Sequence, residues 1–96
     1  MIEDIELDWI ANEIGDIATL RAQGIILTFD RVMLTVESAL EADLEKAAKL
    51  PPPLRTQRLS ERYGFDAATL VERLRALDAD GRAWLIAQID QRIMAP

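Results

Sequence analysis

Three consecutive prolines, Pro51, Pro52 and Pro53, interrupt the chain just past its middle. A proline inside a helix removes a backbone donor and clashes with the preceding turn, and it pushes the residue before it into an extended conformation. Apolar residues recur at helical spacing on both sides of the triplet. The sequence therefore predicts an all-α protein, a small bundle of four to five helices. A Pro-rich elbow would separate an N-terminal helix pair from a C-terminal set of two to three helices.

The chain of 96 residues has the length of one domain, and neither side of the elbow could bury a core by itself. We expect a single helical domain over residues 1–96, with long helices in 1–50, the elbow at 51–53 and shorter helices in 54–96. Residues 1–45 contain eleven acidic and two basic side chains, and the rest contains six acidic and nine basic ones, for a net charge of -6. The acidic half could form a partner-binding surface, or the two halves could simply attract each other within the fold.

The first helix is predicted over residues 3–22, with Gly24 as its left-handed cap. One side of it carries an apolar arc of Ile10, Ile14, Ile17 and Leu20. Another side carries a column of small residues, Ala11, Gly15, Ala18 and Ala22, whose spacing would let another helix approach closely. We therefore expect this helix to be covered on two faces.

The second helix is predicted to begin after Thr28, which can act as its N-cap, and to continue as far as Leu50. Leu27 and Val32 have the spacing of a hydrophobic staple around that cap. A β-hairpin within residues 25–36 is the alternative, although the Asp-Arg pair at its centre would make a poor two-residue turn.

The second half of the chain is predicted to form three shorter helices. They span residues 54–63, residues 67–77, and a segment from Asp78 or Asp80 to about Met94. Between the first two, Gly64 is predicted to end one helix and Asp66 to act as the N-cap of the next.

Residues 56–74 resemble a helix-turn-helix. The resemblance depends on the spacing of six residues, Leu59, Ser60, Tyr63, Gly64, Phe65 and Leu70. It implies a DNA-binding regulator as an alternative function, with Arg55, Arg58 and Arg62 contacting backbone phosphates.

The same resemblance implies that five residues of the second helix would face a DNA groove, namely Asp66, Ala67, Ala68, Val71 and Glu72. None of these is a side chain that commonly reads bases, and two are acidic. Arg73 occupies a position where the motif usually has an apolar residue. We therefore do not expect nucleic acid to be the partner.

The chain has neither histidine nor cysteine, which excludes a Ser-His triad, an ordinary zinc site and a thiolate nucleophile. Glu13 and Asp16 resemble the carboxylates with which small all-α nucleotide pyrophosphatases hold magnesium, but the paired glutamates expected on another helix are missing. The sequence predicts no catalytic residue, no cofactor and no metal site, and hence a protein that is not an enzyme.

Two surfaces are the candidate contact sites. The acidic ridge consists of Asp30, Leu34, Glu37, Glu41 and Glu45 on the outer side of the second helix. The second surface contains Trp84, Gln88 and Gln91, on the side of the last helix away from its apolar stripe. Tryptophan is a favoured anchor of protein interfaces, although the chain itself could also cover it.

These observations predict a protein–protein interaction module, a small acidic regulator, inhibitor or adaptor whose partner has a basic surface. An inhibitor of a nucleic-acid-binding machine is one such case. The apolar content predicts a homodimer. An acidic N-terminus and an apolar stretch of only twelve residues, 25–36, argue against a secretory signal or a membrane span, so we expect a cytoplasmic protein.

Overall fold

The computed structural model describes residues 2–15, 24 and 26–94, and these contain five α-helices and no strand. The predicted all-α fold is confirmed. The helices are α1 (Asp4–Ile14), α2 (Phe29–Ala47), α3 (Pro52–Tyr63), α4 (Ala67–Arg75) and α5 (Ala79–Met94).

Helix α1 is shorter than predicted, because Gly15 ends it. The glycine takes a positive φ of 69° and its N–H donates to the carbonyl of Asn12 at 3.1 Å. Such a backbone conformation suits glycine and stops the helix. The prediction of one continuous helix over 3–22 is therefore wrong at Gly15. Four residues of the predicted arc and column lie outside the described residues, namely Ile17, Ala18, Leu20 and Ala22.

Helix α2 begins as the cap signals predict. The hydroxyl of Thr28 accepts the N–H of Arg31 at 3.2 Å, and Leu27 and Val32 are both buried. Because the residues from Phe29 onward are helical, the alternative β-hairpin is excluded. The helix ends at Ala47, three residues before the predicted boundary.

The elbow is tighter than predicted, because Pro52 and Pro53 form the first turn of α3. The first helical positions need no intrahelical N–H, so proline is tolerated there. The side chain of Arg55 reaches back across the elbow, and it donates to the carbonyls of Ala47 at 3.1 Å and Leu50 at 3.2 Å. One guanidinium thus caps the C-terminal end of α2 and joins it to α3.

The corner between α3 and α4 has the predicted cap residues. Gly64 adopts the left-handed conformation at φ 82°, and Asp66 caps α4 by accepting the N–H of Ala68 at 3.2 Å. A Cβ at Gly64 would lie only 3.0 Å from Cδ1 of Ile5. Glycine therefore serves both the turn and the close approach of α1 to this corner.

Helix α2 lies at the centre of the fold, in contact with α1, α3 and α4, while α5 packs on α1. Its buried face contains Val32, Val36 and Leu40. The other helices contribute mainly leucine and isoleucine to the same core, including Leu7, Ile10, Leu59, Leu70, Leu74, Leu85 and Ile89.

Ion pairs join the acidic and basic halves. Glu6 of α1 is 1% exposed, and it accepts from Nη1 of Arg73 at 3.0 Å and also pairs with Nη2. Arg92 of α5 binds Asp4 at 3.0 Å and Asp8 at 2.8 Å. Some acidic side chains of the first half are therefore paired with arginines of the second half.

No helix among the described residues is both long enough and apolar enough to cross a membrane.

Candidate functional site

An open groove with a volume of about 520 Å³ lies between α2 and α4. It is lined by Leu34, Glu37, Ser38, Glu41, Leu44, Glu45, Val71 and Arg75. Four of the five residues of the acidic ridge thus lie together along one concave surface. Asp30, the fifth, is exposed but does not line the groove.

The helical register of α2 explains this arrangement. Leu34, Ser38, Glu41 and Glu45 follow one another at intervals of four, three and four residues, so they share one side of the helix. That side is turned away from Leu40, which lies in the core.

The groove exposes apolar as well as charged surface. Leu34 is 67% exposed, and Leu44, ten residues further along α2, is half-buried. Val71 of α4 closes the floor at 5% exposed. A partner that covered Leu34 and Leu44 would remove apolar area from water, worth roughly 25 cal/mol per Å².

The charges of the groove are unevenly distributed. Nη2 of Arg75 lies 2.8 Å from a carboxylate oxygen of Glu37, so this pair bridges α2 and α4 and neutralises Glu37. Glu41 and Glu45 are exposed one and two turns further along α2. Carboxylates four residues apart repel each other by a few tenths of a kcal/mol in a helix. The half of the groove beyond Glu37 is therefore negative.

A second groove, of about 460 Å³, lies between α2 and α3. Its walls are Asp43, Lys46, Arg58, Leu59, Glu61 and Arg62. Here charges of both signs alternate, so the groove has no uniform preference for an anion or a cation.

Asp43 organises this second groove. Its carboxylate accepts the hydroxyl of Tyr63 and pairs with Arg62. The hydrogen bond from Tyr63, assisted by Arg62, holds the pKa of the Asp43 carboxyl below its usual value of 3.8. Partial burial, together with the hydrogen bond to Asp43, raises the pKa of the Tyr63 hydroxyl above 10.0. Tyr63 in turn packs on Trp9 and Phe65, with ring centroids 5.8 Å away in both cases.

Two of the three arginines proposed for DNA binding, Arg58 and Arg62, are exposed on the wall of the second groove, and Arg55 is not. Arg55 is half-buried with its guanidinium on the C-terminal carbonyls of α2, and Arg62 pairs with Asp43. The structure also corrects the groove-facing set implied by the helix-turn-helix resemblance, because Ala67 and Val71 lie in the core.

The surface predicted around Trp84 is only partly open. Trp84 is half-buried against the core, and Gln88 is half-buried with its side-chain oxygen accepting from Arg92 at 3.3 Å. Gln91 is exposed. Trp84 therefore contributes to packing within the chain while it keeps part of its ring at the surface.

The sequence pattern missed the pair formed by Glu6 and Arg73. Helical periodicity favours apolar residues at buried positions, and the two charges are 67 residues apart. The only signal was Arg73 itself, which stands at a normally apolar position of the helix-turn-helix pattern. A partly buried arginine is expected to face a carboxylate.

Comparison of the chain with protein-family profiles, with curated proteins and with solved structures gave no significant match. Within the described residues, no three acidic side chains are grouped closely enough to hold a metal ion. Asp16, one of the two carboxylates considered for magnesium, lies outside those residues.

Proposed function

We propose that this protein is a non-enzymatic interaction module, a small regulator, inhibitor or adaptor that acts by binding another protein. The observation that supports this proposal best is the groove between α2 and α4, which is lined by exposed Leu34 at one end and by Glu41 and Glu45 toward the other. Interfaces commonly combine an apolar centre with a polar rim, and this groove has that composition.

The openness of the groove also favours a macromolecular partner. Sites for small molecules are usually concave enough to bury most of the ligand. Here Leu34, Glu41 and Glu45 are exposed along one side of α2, which suits the extended surface of another protein.

The proposal is tested by photo-crosslinking in the host cell. A benzophenone amino acid replaces Leu34 in one variant and the exposed Gln57 of α3 in a matched control. We expect one protein to be crosslinked from position 34 and not from position 57. The crosslinked protein should bind the purified Glu41→Lys variant at least tenfold more weakly than it binds the wild type. Identical crosslinking from both positions would contradict the proposal.

The DNA-binding alternative has weaker support, because only Arg58 of the three arginines is exposed without a described ion pair of its own. It predicts a salt-dependent shift of duplex DNA at micromolar protein that disappears in Arg58→Glu. A shift of this kind would favour the alternative over the protein-binding proposal.

Two further parts of the proposal concern assembly and location. A homodimer would use the surface around Trp84 and Gln91, since Trp84 is only half-buried, Gln91 is exposed, and neither residue lines the acidic groove. The proposed location is the cytoplasm, with which a chain without cysteine is consistent.

A further inference from the structure

We infer that the groove between α2 and α4 binds a basic amphipathic helix of a partner protein. This inference rests on the proposed function and adds the chemistry of the partner. It depends on three properties of the groove, namely its shape, its charge and the order in which apolar and acidic residues occur along it.

The shape fits a helix of about three turns. Leu34 and Glu45, at the two ends of the groove, are eleven residues apart on α2, which corresponds to about 16 Å along the helix axis. Peptides commonly dock either on a sheet edge or as a helix in a groove. The described residues contain no strand, so they offer a helical groove and no sheet edge.

The charge argues against a second copy of this chain in the groove. A two-fold contact places the same surface on both sides of the interface. The carboxylates of Glu41 and Glu45 from both copies would then enter one interface, while Arg75, the base that lines the groove, already pairs with Glu37. Like charges gathered in an interface are costly. The carboxylates equally repel the phosphates of nucleic acid. The complementary partner is therefore a basic protein segment.

The order of residues along the groove defines the pattern of that segment. Apolar Leu34 comes first, the neutralised pair of Glu37 and Arg75 comes next, and Glu41 and Glu45 follow. A helix lying alongside α2 would place apolar residues near Leu34 and lysine or arginine near the two glutamates. The matching pattern is apolar at positions i and i+4 and basic at i+7 and i+11, which all lie on one helical face. Arg75 disfavours a basic residue at the apolar end.

The inference is tested with a fluorescent peptide of this pattern. The peptide has leucine at i and i+4 and arginine at i+7 and i+11, and a staple on its outer face forms the helix before binding. One control peptide has glutamate in place of both arginines, and another has both arginines moved to the opposite face. Fluorescence anisotropy with the full chain should show at least tenfold weaker binding of each control, and weaker binding of the first peptide at high salt.

Matched variants of the protein locate the binding. Glu41→Lys should weaken binding of the first peptide at least tenfold. Glu72→Lys, which makes the same charge change on an exposed residue outside the groove, should change it less than threefold. Equal effects of the two variants, or equal binding of all three peptides, would overturn the inference.

The crosslinking and peptide experiments together distinguish failure of this inference from failure of the proposed function. If crosslinking from position 34 identifies one protein but the first peptide does not bind, the interaction module stands and the basic helix is wrong. If crosslinking from position 34 yields a dimer of this chain, the basic helix is wrong as well.

Discussion

Replacing Glu6 with alanine removes a carboxylate on which three donors converge. Its oxygens accept hydrogen bonds from both terminal nitrogens of Arg73. They also accept the backbone N–H of Glu3 at 3.0 Å, and this bond is part of the capping box of α1. The substitution would leave Arg73 beside a cavity and without the carboxylate of Glu6. It would also leave the first turn of α1 without one of its caps.

The size of the effect follows from burial. Removing one member of a fully buried ion pair costs roughly 3–5 kcal/mol, because the remaining charge is uncompensated. The side chain of Arg73 is 32% exposed and can recover part of its hydration, so its share is about 2–3 kcal/mol. Loss of the cap contributes about 1 kcal/mol. We therefore expect Glu6→Ala to lower the free energy of unfolding by roughly 3 kcal/mol, and the thermal midpoint by more than about 10 °C.

Urea denaturation followed by circular dichroism measures this loss, with Glu13→Ala as the control. Glu13 is an exposed acid on the same helix, and its removal should change stability by less than about 0.5 kcal/mol. In Glu6→Ala combined with Arg73→Leu, more than half of the lost stability should return, because no charge then remains buried. A loss below about 1 kcal/mol in Glu6→Ala, or a double variant less stable than either single variant, would refute this account of the pair.

Three further predictions concern other parts of the fold. Tyr63→Phe removes the main hydrogen bond that lowers the pKa of Asp43, so that pKa should rise toward 3.8 in a carbon-13 NMR titration. Because the pKa of Asp43 is lowered in the folded protein, this hydrogen bond stabilises the wild type above a pH of about 4, and the stabilisation is lost as the pH falls through the folded pKa. An unchanged pKa of Asp43 in the variant would contradict this assignment. Gly64→Ala should cost about 1–2 kcal/mol in urea denaturation, since alanine is strained at φ +82°. If the proposed homodimer forms through Trp84, Trp84→Ala should weaken it in analytical ultracentrifugation. The same change should lower the thermal midpoint less than Leu85→Ala, because Trp84 is only half-buried; a larger drop would identify it as core.

The parts of the fold that the sequence predicted correctly depend on interactions within a few residues. The caps at Thr28 and Asp66 contact N–H groups two or three residues away, so their side chains are sufficient to indicate them. Gly15 was misread because a glycine can belong to a column of small residues or can end a helix. The choice depends on backbone conformation, which one residue type does not determine.

The candidate site was partly predictable for the same reason. Glu37, Glu41 and Glu45 share a helical face by their spacing alone, and the acidic ridge was visible in the sequence. The opposite wall was not, because Val71 and Arg75 come from another helix and meet α2 only through the packing of the whole chain. Long-range pairs such as Glu6 with Arg73 have no local pattern by which they could be recognised.

The ion pairs that α1 makes with α4 and α5 can form only late during synthesis. The charged partners of Asp4, Glu6 and Asp8 are Arg73 and Arg92, which are translated about 67 to 88 residues later. At roughly 5–20 residues per second, α1 waits several seconds on the ribosome before its partners emerge. Native contacts of such large sequence separation also slow folding, because a long loop must close before they form. The contacts of α1 with α2 are nearer in sequence and can form first, so the ion pairs of α1 with Arg73 and Arg92 and the docking of α5 on α1 should be the last steps of folding.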